Sequence, residues 1–216
     1  MKKLFSLLLV LALMAGCGGV FSGGLYGYRS VAPEANNQHF QVKPVFIDKT
    51  FNADELATIN KVVQEWNFVL NGYLVYKIEP DAFDHTDAKA LRRLAKKIGQ
   101  THEGIMIVGA DHDDELLEES IDEYDGTLAF VNNLGERAHF MAVIRDRMGY
   151  KNLHKILLHE FGHAMGAHHV NTESLMFPYY GSQQRDCVDK ITGAQVATYY
   201  KLKLEHINFC LTPNFE

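Results

Sequence analysis

The run HEFGHAMGAHH, residues 159–169, constrains this chain more than any other segment. His159 and His163 are four residues apart, so on a helix they share one face and both imidazoles can reach one metal ion. Glu160 lies beside them, close to such an ion without needing to bind it. This is the arrangement of a zinc hydrolase: neutral histidine ligands, and a carboxylate that takes a proton from water on the metal. Gly166 can adopt a left-handed conformation and stop the helix. The turned chain can then bring His169 to the same ion, which leaves a fourth tetrahedral position open for water. His168 is a competitor for that place, but the spacing from Gly166 favours His169. The alternative is a His-rich structural helix, and the glycine and third histidine at fixed offsets argue against it. Leu153, Ile156 and Leu157 predict that the helix is buried and holds its histidines rigidly.

Around this run the patterning predicts a single α/β domain. Val42–Ile47 reads as a strand, and Asn52 or Asp54 caps a helix reaching Leu70, with Leu56, Ile59, Val63, Trp66 and Leu70 at helical spacing. Tyr73–Ile78 alternates as a strand, Asp87–Ile98 is a short basic helix with a solvated face, and Gly104–Gly109 is a buried strand. Thr127–Val131 and Ala138–Ile144 are two more strands, followed by helices over Lys151–Met165 and from Thr192 to about His206. A formal charge of -6 and a pI near 6.0 make a broad nucleic-acid-binding surface unexpected. Nothing in the pattern demands a partner subunit, so a monomer is expected.

The extended run resembles the metzincin metalloproteases, whose motif HExxHxxGxxH is followed by a methionine turn. Met176 stands seven residues after His169 in SLMFPYY, where the resemblance implies an apolar floor beneath the zinc. On its own, Met176 would be read as ordinary core. Met176–Tyr180 looks like the Met-Tyr-Pro-x-Tyr run of the matrixins, the matrix-metalloprotease branch. By position, Pro178 and Tyr180 then form a wall of the pocket for the residue after the cleaved bond. The resemblance implies an α/β (α+β) metzincin-like zincin fold. Its mixed twisted sheet of about five strands carries a long N-terminal helix, an active-site helix and a C-terminal helix. It also implies a zinc endopeptidase acting on protein or peptide substrates, with His159, His163 and His169 on one catalytic Zn²⁺ and Glu160 as general base. In the family's place for the substrate-binding sheet edge stand Thr127, Leu128, Ala129 and Phe130, with an internal strand as the alternative. Many matrixins hold a second, structural zinc. His112 and Asp114 could supply its His-x-Asp pair and His139 a later ligand, but the remaining histidine is missing. A plain acidic loop is the better reading of 111–125, and a calcium site the other candidate.

Residues 1–16 have two lysines, an apolar core from Leu4 to Met14 and a small-residue exit, the layout of an export signal. The cysteine after Met-Ala-Gly resembles the lipobox of bacterial lipoproteins, so Cys17 is the expected lipid anchor; an ordinary secretory signal is the alternative. The resemblance implies an outer-membrane or cell-surface location in a Gram-negative organism, and otherwise the outer face of the cell membrane. Residues 17–40 then form a lipidated, glycine-rich tether and 41–216 the catalytic domain. Export permits a disulfide between Cys187 and Cys210, against two free thiols. A competing function is a zinc-binding surface lipoprotein that recognises peptides without cleaving them, and a third is a hydrolase of non-peptide amides. The intact Glu160 argues against a pure binder.

Overall fold

A computed structural model describes residues 28–29, 41–115, 117, 126–149 and 151–211. The expected signal, Cys17 and all but two residues of the tether lie outside the described residues, as does most of the acidic stretch after Asp111. Among the described residues no helix is long and apolar enough to cross a membrane.

The elements are β1 (Tyr28–Arg29), β2 (Gln41–Asp48), α1 (Ala53–Val69), β3 (Leu74–Phe83), α2 (Ala88–Thr101) and β4 (Gly104–Ala110). Then come β5 (Ala129–Gly135), β6 (Ala138–Ile144), α3 (Leu153–Ala164), α4 (Lys190–Tyr199) and β7 (Phe209–Cys210). The sheet is mixed and five-stranded, in the order β3-β2-β4-β6-β5. Only β5 runs antiparallel to its neighbour; the other pairings are parallel. The expected mixed α/β fold is therefore present, and among the described residues β5 is an edge strand rather than an internal one.

Strand alternation divides the core between the two faces of the sheet. Val45, Ile47, Ile105, Ile107, Met141 and Val143 pack with α1 and α3. Met106, Val108, Ala142 and Ile144 face the other way, onto Leu91 and Ile98 of α2. Every residue of β4 is buried, which is why that strand reads as a continuous apolar run rather than an alternating one. Asn52 is the cap of α1: its side chain accepts from the Asp54 and Glu55 amides, and the Glu55 carboxylate accepts from the Asn52 amide at 2.8 Å. Trp66 is fully buried on α1 and donates its indole N–H to the Leu158 carbonyl at 3.2 Å, joining that helix to α3.

Several boundaries differ from the sequence reading: β5 runs on to Gly135 past Val131, α2 to Thr101 past Ile98, and α4 starts at Lys190. β3 continues to Phe83, which its position at the other sheet edge allows, since Pro80 there needs no partner for the missing N–H. β5 starts at Ala129, so Thr127 and Leu128 precede it, although the Leu128 carbonyl still accepts from the Ile144 amide at 2.9 Å. α4 stops at Tyr199 instead of running to His206. Lys201 turns left-handed (φ 56°), its amide donates to the Thr198 carbonyl, and the Leu202 amide reaches back to the Ala197 carbonyl at 2.7 Å. This is a Schellman stop built on a lysine, without the glycine that usually marks one.

Cys187 and Cys210 are bridged, with Cα atoms 6.1 Å apart across 23 residues. In the chain-entropy account a loop of this size stabilises the fold by roughly 3 kcal/mol. The bridge holds β7, which pairs with β1, against the segment leading into α4. Tyr28 of β1 hydrogen-bonds Glu65 of α1, and its hydroxyl accepts from the Val188 amide at 3.2 Å.

Candidate metal centre

α3 opens at Asn152, whose side chain caps the first turn, and presents His159 and His163 one turn apart. Gly166 (φ 81°) ends the helix, and a Cβ there would lie 2.4 Å from the Tyr199 ring, so only glycine serves both the turn and the packing. The chain folds back and brings His169 to the other two. The three Nε2 atoms are 3.1 to 3.2 Å from one another.

The contact between His159 and His163 is not a hydrogen bond between the rings. His159 Nδ1 donates to the Leu175 carbonyl at 2.7 Å and His163 Nδ1 to the Ala167 carbonyl at 2.9 Å. Each of those rings, when neutral, has spent its proton on that side, so the Nε2 atoms of His159 and His163 face one another as lone pairs. Converging lone pairs repel unless a cation lies among them. Zn–N bonds of about 2.0–2.1 Å at tetrahedral angles put nitrogens roughly 3.3–3.4 Å apart, close to the observed spacing. The residues fit such an ion. Burial holds His159 and His163 down at about 4, which keeps both neutral at pH 7, and lowers His169 in the same direction. His168 is exposed, its amide donating to Gln195, and stays outside the cluster.

Met176 is fully buried, and a Cβ on Gly162 would meet its sulfur at 2.5 Å. The missing side chain at Gly162 thus lets the methionine turn press against α3 between the two helical histidines. That turn is itself clamped by buried Asp189, which accepts from the Leu175 amide at 2.7 Å, from the Ser174 hydroxyl at 2.8 Å and from the first turn of α4. Sequence reasoning passed over Gly162 and Asp189. A glycine inside a helical pattern and an aspartate three residues before Thr192 were the available signals.

A cleft of about 920 Å³ runs past the histidines. It is lined by His159, Glu160, His163 and His169, by Thr127, Leu128, Ala129 and Phe130, and by Pro178 and Tyr180. The start of the edge strand β5, the three histidines and the loop after Met176 therefore share one depression. Tyr180 is fixed there: its hydroxyl accepts from the Asn152 amide at 2.8 Å, while Lys155 donates to the Gly181 carbonyl at 2.8 Å and lies over the Tyr180 ring. Glu160 is buried in the same cleft, and desolvation pushes its carboxyl up to about 8. A positive charge in the histidine cluster would favour the carboxylate form.

The family model described as matrixin matches residues 81–196. The chain belongs to the matrixin family. A protein of Trichoplusia ni ascovirus 2c named "Putative matrix metalloproteinase" is 48% identical over 56 residues, which is 26% of this chain and 11% of that protein. The chain thus spans about a tenth of that relative's length. Matrixins are zinc-dependent endopeptidases as a family, and the histidine cluster of this member lies within the matched stretch.

The second-metal candidates are not brought together. His112 follows the end of β4 and pairs with Asp146, and Asp114 lies 3.4 Å from His85. His139 sits near the opposite end of the sheet, opposite Ile105, and donates to Asn133 at 3.0 Å. Another close trio, Asp48, Asp84 and His85, is occupied internally: Asp84 pairs with Lys49 at 2.8 Å and Asp48 with His85. Burial lowers His139 from 6.5 to about 4, so the unfolded chain takes up this proton first as pH falls. The stability that neutral His139 contributes is therefore complete above pH 6.5 and is lost as pH drops toward 4. Urea unfolding of metal-free protein at pH 7 and at lower pH should show wild type losing more stability than His139→Gln; equal losses would contradict this origin.

Proposed function

We propose that the chain is a zinc-dependent endopeptidase whose ion is held by His159, His163 and His169, with Glu160 as general base. The observation that carries this reading is the convergence of three Nε2 atoms to 3.1–3.2 Å beside a buried carboxylate, in a cleft bounded by β5, the edge strand of the sheet among the described residues. Zinc held there would supply Lewis acidity, drawing the pKa of water toward neutrality and steadying negative charge on the scissile carbonyl oxygen.

The chain's own groups do the rest. Glu160 accepts a proton from the attacking water and passes it to the departing amine. The first residues of β5 present backbone groups to an extended substrate, so positioning is largely independent of substrate sequence. Pro178 and Tyr180, held by the Asn152 and Lys155 contacts, form a wall for the residue after the cleaved bond. Met176 supports the histidines from below and binds nothing. The experiment is digestion of a mixed peptide library with and without chelator. Cleavage that chelator abolishes and zinc restores is the expected result; cleavage indifferent to chelator would sink the reading.

For location, the sequence of residues 1–17 supports export with Cys17 as a lipid anchor. The modification characteristic of such proteins adds at least two acyl chains, enough for stable attachment. Cys17→Ser should move the protein from the membrane fraction to the soluble one. Persistence in the membrane fraction would exclude Cys17 as the anchor.

A further inference from the structure

β1 is built into the domain although it lies in the stretch expected to be tether. Tyr28 and Arg29 pair with Cys210 and Phe209 of β7, the strand that the Cys187–Cys210 bridge holds covalently. The Tyr28 ring packs against the core and meets Phe68 edge-on at 5.5 Å. Its hydroxyl donates to buried Glu65 and accepts from the Val188 amide at 3.2 Å. The Arg29 guanidinium lies 5.3 Å from the centre of the Phe209 ring. The other Glu65 oxygen is 3.0 Å from His154 Nε2, in the first turn of α3. His154 stands five residues before His159, about 7.5 Å along the helix. The docking point of β1 therefore adjoins the helix that carries two of the histidines.

We propose that β1 is the fixed end of a short membrane leash, and that the enzyme acts on polypeptides lying close to the membrane that carries it. This rests on the endopeptidase reading and on Cys17 as the lipid anchor. Ten residues stand between Cys17 and Tyr28. Drawn out fully at ~3.3–3.6 Å per residue, that stretch spans about 40 Å. With ~30 Å more through Tyr28, Glu65 and α3, the histidine cluster stays within about 70 Å of the anchored sulfur. Residues 30–40 add nothing to this reach, because they follow the docked strand. A bond that the leash cannot reach meets an effective concentration near zero, whereas one within reach meets a high local concentration. Substrates are then selected by their height above the membrane, in keeping with recognition through the backbone groups of β5.

The test uses the full chain, zinc-loaded and carrying its lipid, in phosphatidylcholine vesicles. The substrate is a peptide that the mixed library shows to be cleaved, fixed to the same vesicles by a lipid and a polyproline spacer. Spacers of ten and thirty residues hold it about 30 and 90 Å out, at ~3.1 Å per residue. Wild type should cleave the ten-proline substrate at least about tenfold faster than the thirty-proline one. A Gly-Ser insertion of about twenty residues between Gly23 and Gly24 should bring the two rates within a few-fold of each other. The same insertion between Asn36 and Asn37, behind the docked strand, should leave the wild-type ratio unchanged. Cleavage of the free peptide checks that each variant is folded. Equal rates in wild type overturn the inference even if neither variant folds, and so do equal effects of the two insertions. A wild type that does not stay with the vesicles overturns the anchor reading, and one that cleaves no free peptide overturns the endopeptidase reading; the inference falls with either.

Discussion

Glu160→Gln should lower kcat by about 10²–10⁴-fold while the protein still binds one zinc ion. The substitution preserves size and removes only the capacity to take a proton. Glu160 is 7% exposed, and burial holds its carboxyl up at about 8, which means that the fold tolerates a group it would rather not ionise. Glutamine carries no such cost. The variant should therefore be as stable as wild type or more so, the signature of a residue kept for chemistry and not for folding. Zinc content, kcat and urea midpoint measured on the same preparation decide the matter. Activity within a few-fold of wild type would remove Glu160 from the mechanism. Lost activity accompanied by lost zinc would make it a structural support of the cluster.

His163→Ala should weaken zinc binding by more than about 100-fold, since loss of a mere outer-shell partner of a ligand already costs 10–100-fold. Removing the ring also removes the Nδ1 donor to the Ala167 carbonyl, so the turn at Gly166 that returns His169 is loosened. The metal-free variant has a compensation: the crowding of the His159 and His163 lone pairs is relieved. Its metal-free stability should lie near that of wild type, and the difference should appear on adding metal. An ion at 1,000 times its Kd stabilises the folded state by about 4 kcal/mol, and the variant should forfeit most of that. Thermal unfolding with and without zinc checks it. A zinc-induced rise in Tm equal to that of wild type would show that His163 is not a ligand.

The histidine cluster was legible because its geometry is local. A four-residue spacing on a helix, a glycine stop and a third histidine place all ligands within one short run. The strands were legible where burial makes them continuous, as in β4, or alternation makes them regular. What escaped depends on contacts between distant segments. Gly162 matters because Met176 arrives against it. The end of α4 was hidden by a lysine in a position where glycine is the usual signal. The second-metal expectation joined His112, Asp114 and His139 by sequence likeness, and the length of a strand separates His139 from the other two.

Titrating zinc into metal-free protein, while counting bound zinc and peptide cleavage together, tests the central claim most directly. Cleavage should rise in step with binding and stop rising at one zinc ion per chain. Cleavage that does not follow zinc, or full zinc binding with no cleavage of any peptide, would contradict it.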